Sequence, residues 1–183
     1  MLANCKLEDL EFGKKLGEGS HGQVLAAEHT VSKRRVAVKK IPKKDLVHKR
    51  VQENLKREIR IHEQVYHENI VRLYNSLEDS QYIYLVMEYA AQGALFKIIR
   101  EHSGFDERTA FYYFIQACSG IYFLHKNGFM HRDLKPENLL VSHSNTLKIC
   151  DFGGSVEHAS GDTAAQRKTF LGTFEYMAPE MVK

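Results

Sequence analysis

Along the first ninety positions apolar and polar residues mostly alternate, and then the rhythm changes. Residues 12–16, 23–28 and 35–39 are short alternating runs divided by turn-forming residues, which predicts three strands joined as hairpins. Residues 51–67 follow a longer period. Leu55, Ile59 and the stretch from Ile61 to Val65 make an apolar stripe, while Glu53, Lys56, Arg57, Arg60 and Glu63 occupy the other faces, so a helix is predicted with Glu58 on its inward side. Residues 70–77 and 82–88 return to strand patterning and complete a five-stranded antiparallel sheet carrying one helix. Ala91, Gln92 and Gly93 break the pattern, and helices dominate from there: a short one over 94–99 and a long one over 106–127, with Asp106 as its N-cap and Asn127-Gly128 as its stop. The long helix carries Phe111, Tyr112, Tyr113, Phe114, Ile115, Ile121, Tyr122, Phe123 and Leu124, spread over more than one face, and therefore predicts burial on more than one side. Residues 139–141 and 147–149 read as a small ribbon turning at 143–145. The pattern is α+β in two parts, 1–90 and 91–183.

Composition changes this picture little. With 183 residues, 43% of them hydrophobic and 27% charged, the chain has the size and balance of one folded domain. A net charge of +3 is too small to imply a nucleic-acid partner, and the 10 histidines are scattered without metal-ligand spacing. Cys5, Cys118 and Cys150 are odd in number and far apart, which suits reduced thiols better than a disulfide framework. No apolar run approaches the roughly 20 residues of a membrane span, and no leader is visible. These features predict a cytoplasmic or nuclear protein.

The candidate chemistry lies in two short motifs. Residues 131–138 read His-Arg-Asp-Leu-Lys-Pro-Glu-Asn, and residues 151–153 read Asp-Phe-Gly. Two carboxylates, an amide and a lysine in this order can hold one magnesium nucleotide and deprotonate one hydroxyl, which is what phosphoryl transfer from ATP requires. Upstream, Gly17, Gly19 and Gly22 form a Gly-x-Gly-x-x-Gly turn. In a dinucleotide-binding fold such glycines open a helix; here β-rich sequence follows at once, with Val24 two residues on, which favours a phosphate-covering hairpin over a nicotinamide dehydrogenase. Glycine suits that task because backbone N–H groups can approach phosphates where no Cβ intervenes.

Taken together, these motifs resemble those of eukaryotic protein kinases, and the resemblance spans about the whole chain. It implies a bilobal fold with an N-lobe over 1–90 and a partial, mainly helical C-lobe over 91–183. The implied cofactors are ATP and Mg²⁺. By the same resemblance Asp133 is the catalytic base, Asn138 and Asp151 hold the metal, and Lys135 neutralises the transferring phosphate. Lys39, closing Val-Ala-Val-Lys at 36–39, positions the α- and β-phosphates with Glu58 as its partner. Gly17, Gly19, Gly22, Val24, Ala37, Met87, Glu88, Ala90 and Leu140 make up the implied nucleotide pocket. Arg132 is the implied anchor for a phosphate on the activation segment, 151–180, with Thr169 as its site ahead of Ser155, Ser160 and Thr163. The doubled Gly153-Gly154 predicts a loose start to that segment. Cys150 is expected on the pocket floor, where it is either an inert small hydrophobe or a target for an ATP-site electrophile.

Lys135 with Gly172-Thr173 resembles the serine/threonine branch, and the runs 151–155 and 168–173 look most like Aurora-type and related basophilic kinases. The implied partners are protein substrates bearing Ser or Thr near basic residues, a specificity Glu137 could read, with neither nucleic acid nor membrane. A kinase catalytic domain continues for several helices past the position matching Lys183. The alternative expectation is therefore a truncated fragment that binds nucleotide or a partner without significant phosphotransfer, and that self-associates through the uncovered face of the long helix.

Overall fold

The computed structural model describes residues 2–19, 22–157, 173–177 and 179. Its chain divides into two compact units, one of Met1–Glu63 with Val71–Ala90 and the other of Gln64–Ile70 with Ala91–Lys183.

The first unit is built on strands β1 (Leu10–Gly19), β2 (Gly22–His29), β3 (Arg34–Pro42), β4 (Leu73–Glu78) and β5 (Tyr82–Glu88), with helix α1 (Lys49–Gln64) between β3 and β4. The strands form one antiparallel sheet in the order β1-β2-β3-β5-β4. Alternation along β5 shows how both faces are covered. Ile83, Leu85 and Met87 pack with Ile41, Leu46, Leu55, Val51 and Ile59, which is the face that α1 closes. Tyr82, Tyr84 and Val86 point the other way, into a cluster with Val36, Val38, Leu2, Cys5, Leu7 and Leu10. The apolar residues of the N-terminal segment, isolated in the sequence, thus plug the second face. Asn75 Nδ2 clips this segment down by donating to Cys5 O at 3.0 Å, and burial pushes the Cys5 thiol up.

α1 ends at Gln64, three residues before the predicted stop, and β4 starts at Leu73 where the pattern predicted residue 70. Both corrections have one cause. Residues 65–70 belong to the second unit, where Asn69 bonds His67 and the Leu147 carbonyl, so this stretch continues neither element.

The second unit contains β6 (Gly93–Ala94), α2 (Leu95–Glu101), α3 (Glu107–Lys126), β7 (Phe129–Met130), β8 (Leu139–Val141), β9 (Leu147–Ile149) and β10 (Val156–Glu157). The strands make a three-stranded sheet β6-β8-β9 and a β10-β7 pair. α3 starts as predicted, with the Asp106 carboxylate accepting from Thr109 N–H at 2.7 Å, and stops at Asn127 before Gly128, whose φ is 75°. Tyr113 and Leu124 of α3 are buried, whereas Phe111 (61%), Phe114 (64%), Ile115 (50%) and Tyr122 (64%) are exposed. Among the described residues no helix is long and apolar enough to cross a membrane.

Candidate active site

Each unit carries one group of the residues singled out in the sequence. In the first, strand register brings them into rows: Gly17 pairs with Val24, Val24 with Lys39, and Ala37 with Met87. Pairs on one face of adjacent strands are side-chain neighbours, so residues separated by up to seventy positions line one surface. Of the three glycines only Gly22 is demanded by the protein itself, because a Cβ there would overlap the Lys40 carbonyl. Around Gly17 nothing comes within 4 Å, and at Gly19 the nearest atoms lie at 3.7 Å.

Lys39 and Glu58 are both buried, and their Nζ and Oε1 atoms lie 2.7 Å apart. The pair forms because Lys39 falls on the α1 face of β3 while Glu58 falls on the inward stripe of α1, beside Leu55 and Ile61. The neighbours that might have competed for Glu58 are engaged elsewhere: Arg57 donates to Asn54 Oδ1, and the His62 ring meets Val71 O. Glu88 commits its N–H to Arg72 O at 2.8 Å.

In the second unit the focus is Asp133. Asn138 Nδ2 donates to both Asp133 O (2.8 Å) and Asp133 Oδ2 (2.9 Å), and Lys135 Nζ lies 3.1 Å from Oδ2. Thr173 Oγ1 donates to Asp133 Oδ1 at 3.0 Å while accepting from Lys135 Nζ at 2.6 Å, so it bridges the two charged groups. Burial raises the Asp133 pKa, yet the bonds from Lys135, Thr173 and Asn138 with the Lys135 charge outweigh it and hold the carboxyl below its ordinary value. Because Asn138 gives its Nδ2 hydrogens to Asp133, its Oδ1 is the atom left to meet a cation. Together with the Asp151 carboxylate this makes an all-oxygen donor set suited to Mg²⁺, which keeps most of its coordination for water and phosphate.

Asp151 sits at φ 65° and accepts from Gly153 N–H at 3.3 Å, opening a 3₁₀ turn over Phe152–Gly154. This turn is tied down, contrary to the looseness expected of a doubled glycine. Phe152 is buried against the His131 ring, Arg132 Nε donates to Gly154 O at 2.7 Å, and Ser155 Oγ donates to His131 O at 3.4 Å. Ser155 is itself buried, which disfavours it as a modification site. Thr169, Ser160 and Thr163 lie outside the described residues. Leu140, in β8, pairs with Ala94 and Lys148. Cys150 is half-buried, with its N–H donated to Asn138 O.

His131 makes contacts that the motif alone does not predict. Burial lowers its pKa, so the ring is neutral; Nε2 donates to Cys150 O at 2.9 Å and Nδ1 faces the Asp133 N–H at 3.4 Å. One ring thereby links the Asp133 loop to the strand end that carries Asp151. The sequence shows only a histidine set inside a charged motif, because its partners are backbone atoms that no side-chain pattern reports.

The glycine hairpin and buried lysine–glutamate pair of the first unit, and the aspartate held by lysine, threonine and asparagine before an Asp-Phe-Gly turn in the second, are the features that the sequence resemblance to protein kinases implies. The family model of the protein kinase domain matches residues 10–183, and the chain belongs to that family. Among its relatives, the Aurora kinase of Eremothecium gossypii is 37% identical over 182 residues, covering 100% of this chain and 49% of its own length. The serine/threonine-protein kinase Aurora-1 of Arabidopsis thaliana is 40% identical over 97% of this chain and 58% of its own length. Aurora kinase B-A of Xenopus laevis is 37% identical over 97% of this chain and 48% of its own. The chain thus spans about half the length of the relatives it matches.

Proposed function

We propose that the protein phosphorylates serine and threonine side chains of proteins, using ATP and Mg²⁺. The observation that carries this reading is the Asp133 carboxylate, oriented by Asn138 and bridged through Thr173 to Lys135. Asp133 accepts or orients the proton of the substrate hydroxyl, and a carboxylate held below its ordinary pKa is ionised and ready for that at neutral pH. Lys135, 3.1 Å from Asp133, carries the positive charge that meets the transferring phosphoryl group. Asn138 and Asp151 hold the metal, which when bound neutralises charge on the phosphates. Lys39, fixed by Glu58, positions the α- and β-phosphates; the glycine hairpin covers them; Val24, Ala37, Met87, Leu140 and backbone near Glu88 and Ala90 receive the base.

In this reading residues 1–90 are the N-lobe and 91–183 part of the C-lobe, the substrates carry basic residues that Glu137 reads from its exposed position, and the protein works in the cytoplasm or nucleus. The likeness to Aurora kinases supports an Aurora-type enzyme. A second reading, nucleotide binding without efficient transfer, with self-association through α3, is favoured by the exposed Phe111, Phe114, Ile115 and Tyr122.

The test is transfer of labelled γ-phosphate to a basic Ser/Thr peptide, beside affinity for an ATP analogue with Mg²⁺ and with chelator. Asp133→Asn should abolish transfer while leaving affinity within about threefold, since the base acts chiefly on the transition state. Asp151→Asn and chelator should weaken both. Affinity indifferent to chelator, to Asp151→Asn and to Lys39→Met would sink the site assignment; metal-dependent binding with no transfer in the unaltered chain would select the second reading.

A further inference from the structure

Strand β9 delivers Asp151 two residues past its end, and one edge of β9 is paired with β8. Backbone groups on successive alternate residues of a strand point to opposite edges, so Leu147 and Ile149 present theirs away from β8. On that side the only backbone pairing among the described residues is a single parallel bridge between Ile149 and Ile70. Leu147 N–H donates to Gln116 Oε1 at 2.9 Å, Leu147 O accepts from Asn69 Nδ2 at 3.0 Å, and Ile149 N–H donates to Asn69 O at 2.8 Å. Asn69 Nδ2 also donates to Gln116 Oε1 at 3.2 Å, which closes the set. Two carboxamides, from a stretch 78 residues upstream and from the middle of α3, therefore extend a one-residue bridge and take the place of a full neighbour strand.

The arrangement is tight. Asn69, Leu147 and Ile149 are buried, and a Cβ at Gly120 of α3 would lie 2.8 Å from Ile149 Cδ1 and 3.0 Å from Asn69 O. Past β9 the chain has little slack before the metal-holding carboxylate: Cys150 N–H is bonded to Asn138 O, its carbonyl to His131, and Asp151 then turns at φ 65°. A shift of β9 along α3 would pass straight to Asp151.

We propose that Gln116, acting with Asn69, is a positioning residue for Asp151, its Oε1 pinning the outer edge of β9 and so fixing where the Asp151 carboxylate stands for the metal-nucleotide complex. The proposal rests on the nucleotide-site reading above. It makes a chemical distinction that simple packing does not: only the oxygen of the Gln116 amide serves the strand, as acceptor of two bonds, while its Nε2 goes to Tyr112 O within α3 at 3.2 Å. Gln116→Glu keeps that acceptor, whereas Gln116→Met keeps the length and removes it.

The experiment compares the unaltered chain with these two variants by backbone amide hydrogen exchange and by the Mg²⁺ concentration needed for half-maximal binding of a non-hydrolysable ATP analogue. In Gln116→Met, exchange at Leu147 should quicken about tenfold or more, as an unmet buried donor requires. The Mg²⁺ midpoint should rise about tenfold, as for other outer-shell partners of a metal site. Analogue binding without metal, and exchange in α1, should stay unchanged, which separates positioning from general unfolding. Gln116→Glu should restore both readouts to near the unaltered values. An unchanged Mg²⁺ midpoint in Gln116→Met, or a Gln116→Glu variant as impaired as the methionine, would overturn the positioning role alone. A flat Mg²⁺ response in the unaltered chain would overturn the nucleotide-site reading and the positioning role with it.

Discussion

Lys39 and Glu58 illustrate what a single pair of residues can decide. Two charges this deeply buried are held in place because each satisfies the other at 2.7 Å, and removing one strands its partner away from water. Glu58→Leu should therefore cost about 3–5 kcal/mol, while the double change Lys39→Met with Glu58→Leu should cost clearly less than Lys39→Met and Glu58→Leu summed. Denaturant unfolding of the four chains measures this; strictly additive losses would show that the pair is not coupled. The nucleotide analogue should bind weakly to both variants that carry Lys39→Met, because the stability regained by the apolar pair does not restore an ammonium for the phosphates. His131 and Thr173 act at the same scale: the His131 ring meets the Asp133 N–H and the Cys150 carbonyl, and the Thr173 hydroxyl donates to Asp133 Oδ1.

At the scale of elements, the β4–β5 hairpin shows how a turn closes on a titratable group. Asp79 Oδ1 accepts from Gln81 and Tyr82 N–H at 2.7 Å each, and its Oδ2 accepts from Tyr84 O–H at 2.8 Å. The backbone bond from Gln81, the Tyr84 bond and the bond from Tyr82 lower the Asp79 pKa, while burial first and Asp79 second push Tyr84 up from 10.0 to about 12. The signs are opposite in consequence. A lowered carboxylate contributes stability above its unfolded value of 3.8, lost as pH falls through the lower folded value. A raised phenol contributes stability below 10.0, lost as pH climbs from there toward about 12. Asp79→Asn should flatten the acid limb of the stability-pH curve and shrink the alkaline one, read by thermal unfolding across pH; an acid limb as steep as before would count against the assignment. The N-terminal segment belongs here too: Leu2, Cys5 and Leu7 looked like stray apolar residues and prove to be the cover of a sheet face.

Across the whole molecule the outstanding feature is α3. One side holds Tyr113, Gly120 and Leu124 against the second unit, and the other presents Phe111, Phe114, Ile115 and Tyr122 at half exposure or more. In the second reading proposed above, this stripe is an interaction surface. We expect the 183-residue chain to associate with rising concentration and to bind an apolar dye, and Phe114→Ser with Tyr122→Ser to reduce both without lowering the unfolding midpoint. Sedimentation velocity over a concentration series makes the comparison, and association untouched by the double change would move the contact elsewhere.

Patterning alone determined the strands of the first unit, α3 with its Asp106 cap, the β8-β9 ribbon, and the Asp133, Asn138 and Asp151 motifs. These depend on local terms: side-chain period, capping chemistry, and residues close enough in sequence to share one loop. Only the tertiary structure decided that residues 65–70 leave the helix for the second unit, that the doubled glycine is tied by Arg132, and that Leu2 and Cys5 seal a sheet. It also decided that Asn69 and Gln116 serve β9. Apart from the apolar packing of Leu2, each of these rests on a backbone group whose partner lies far along the chain, from Arg132 to Gly154 at 22 residues up to Asn69 and Leu147 at 78. A carbonyl or N–H is the same in every residue, so the sequence does not mark which distant side chain will meet it; packing does.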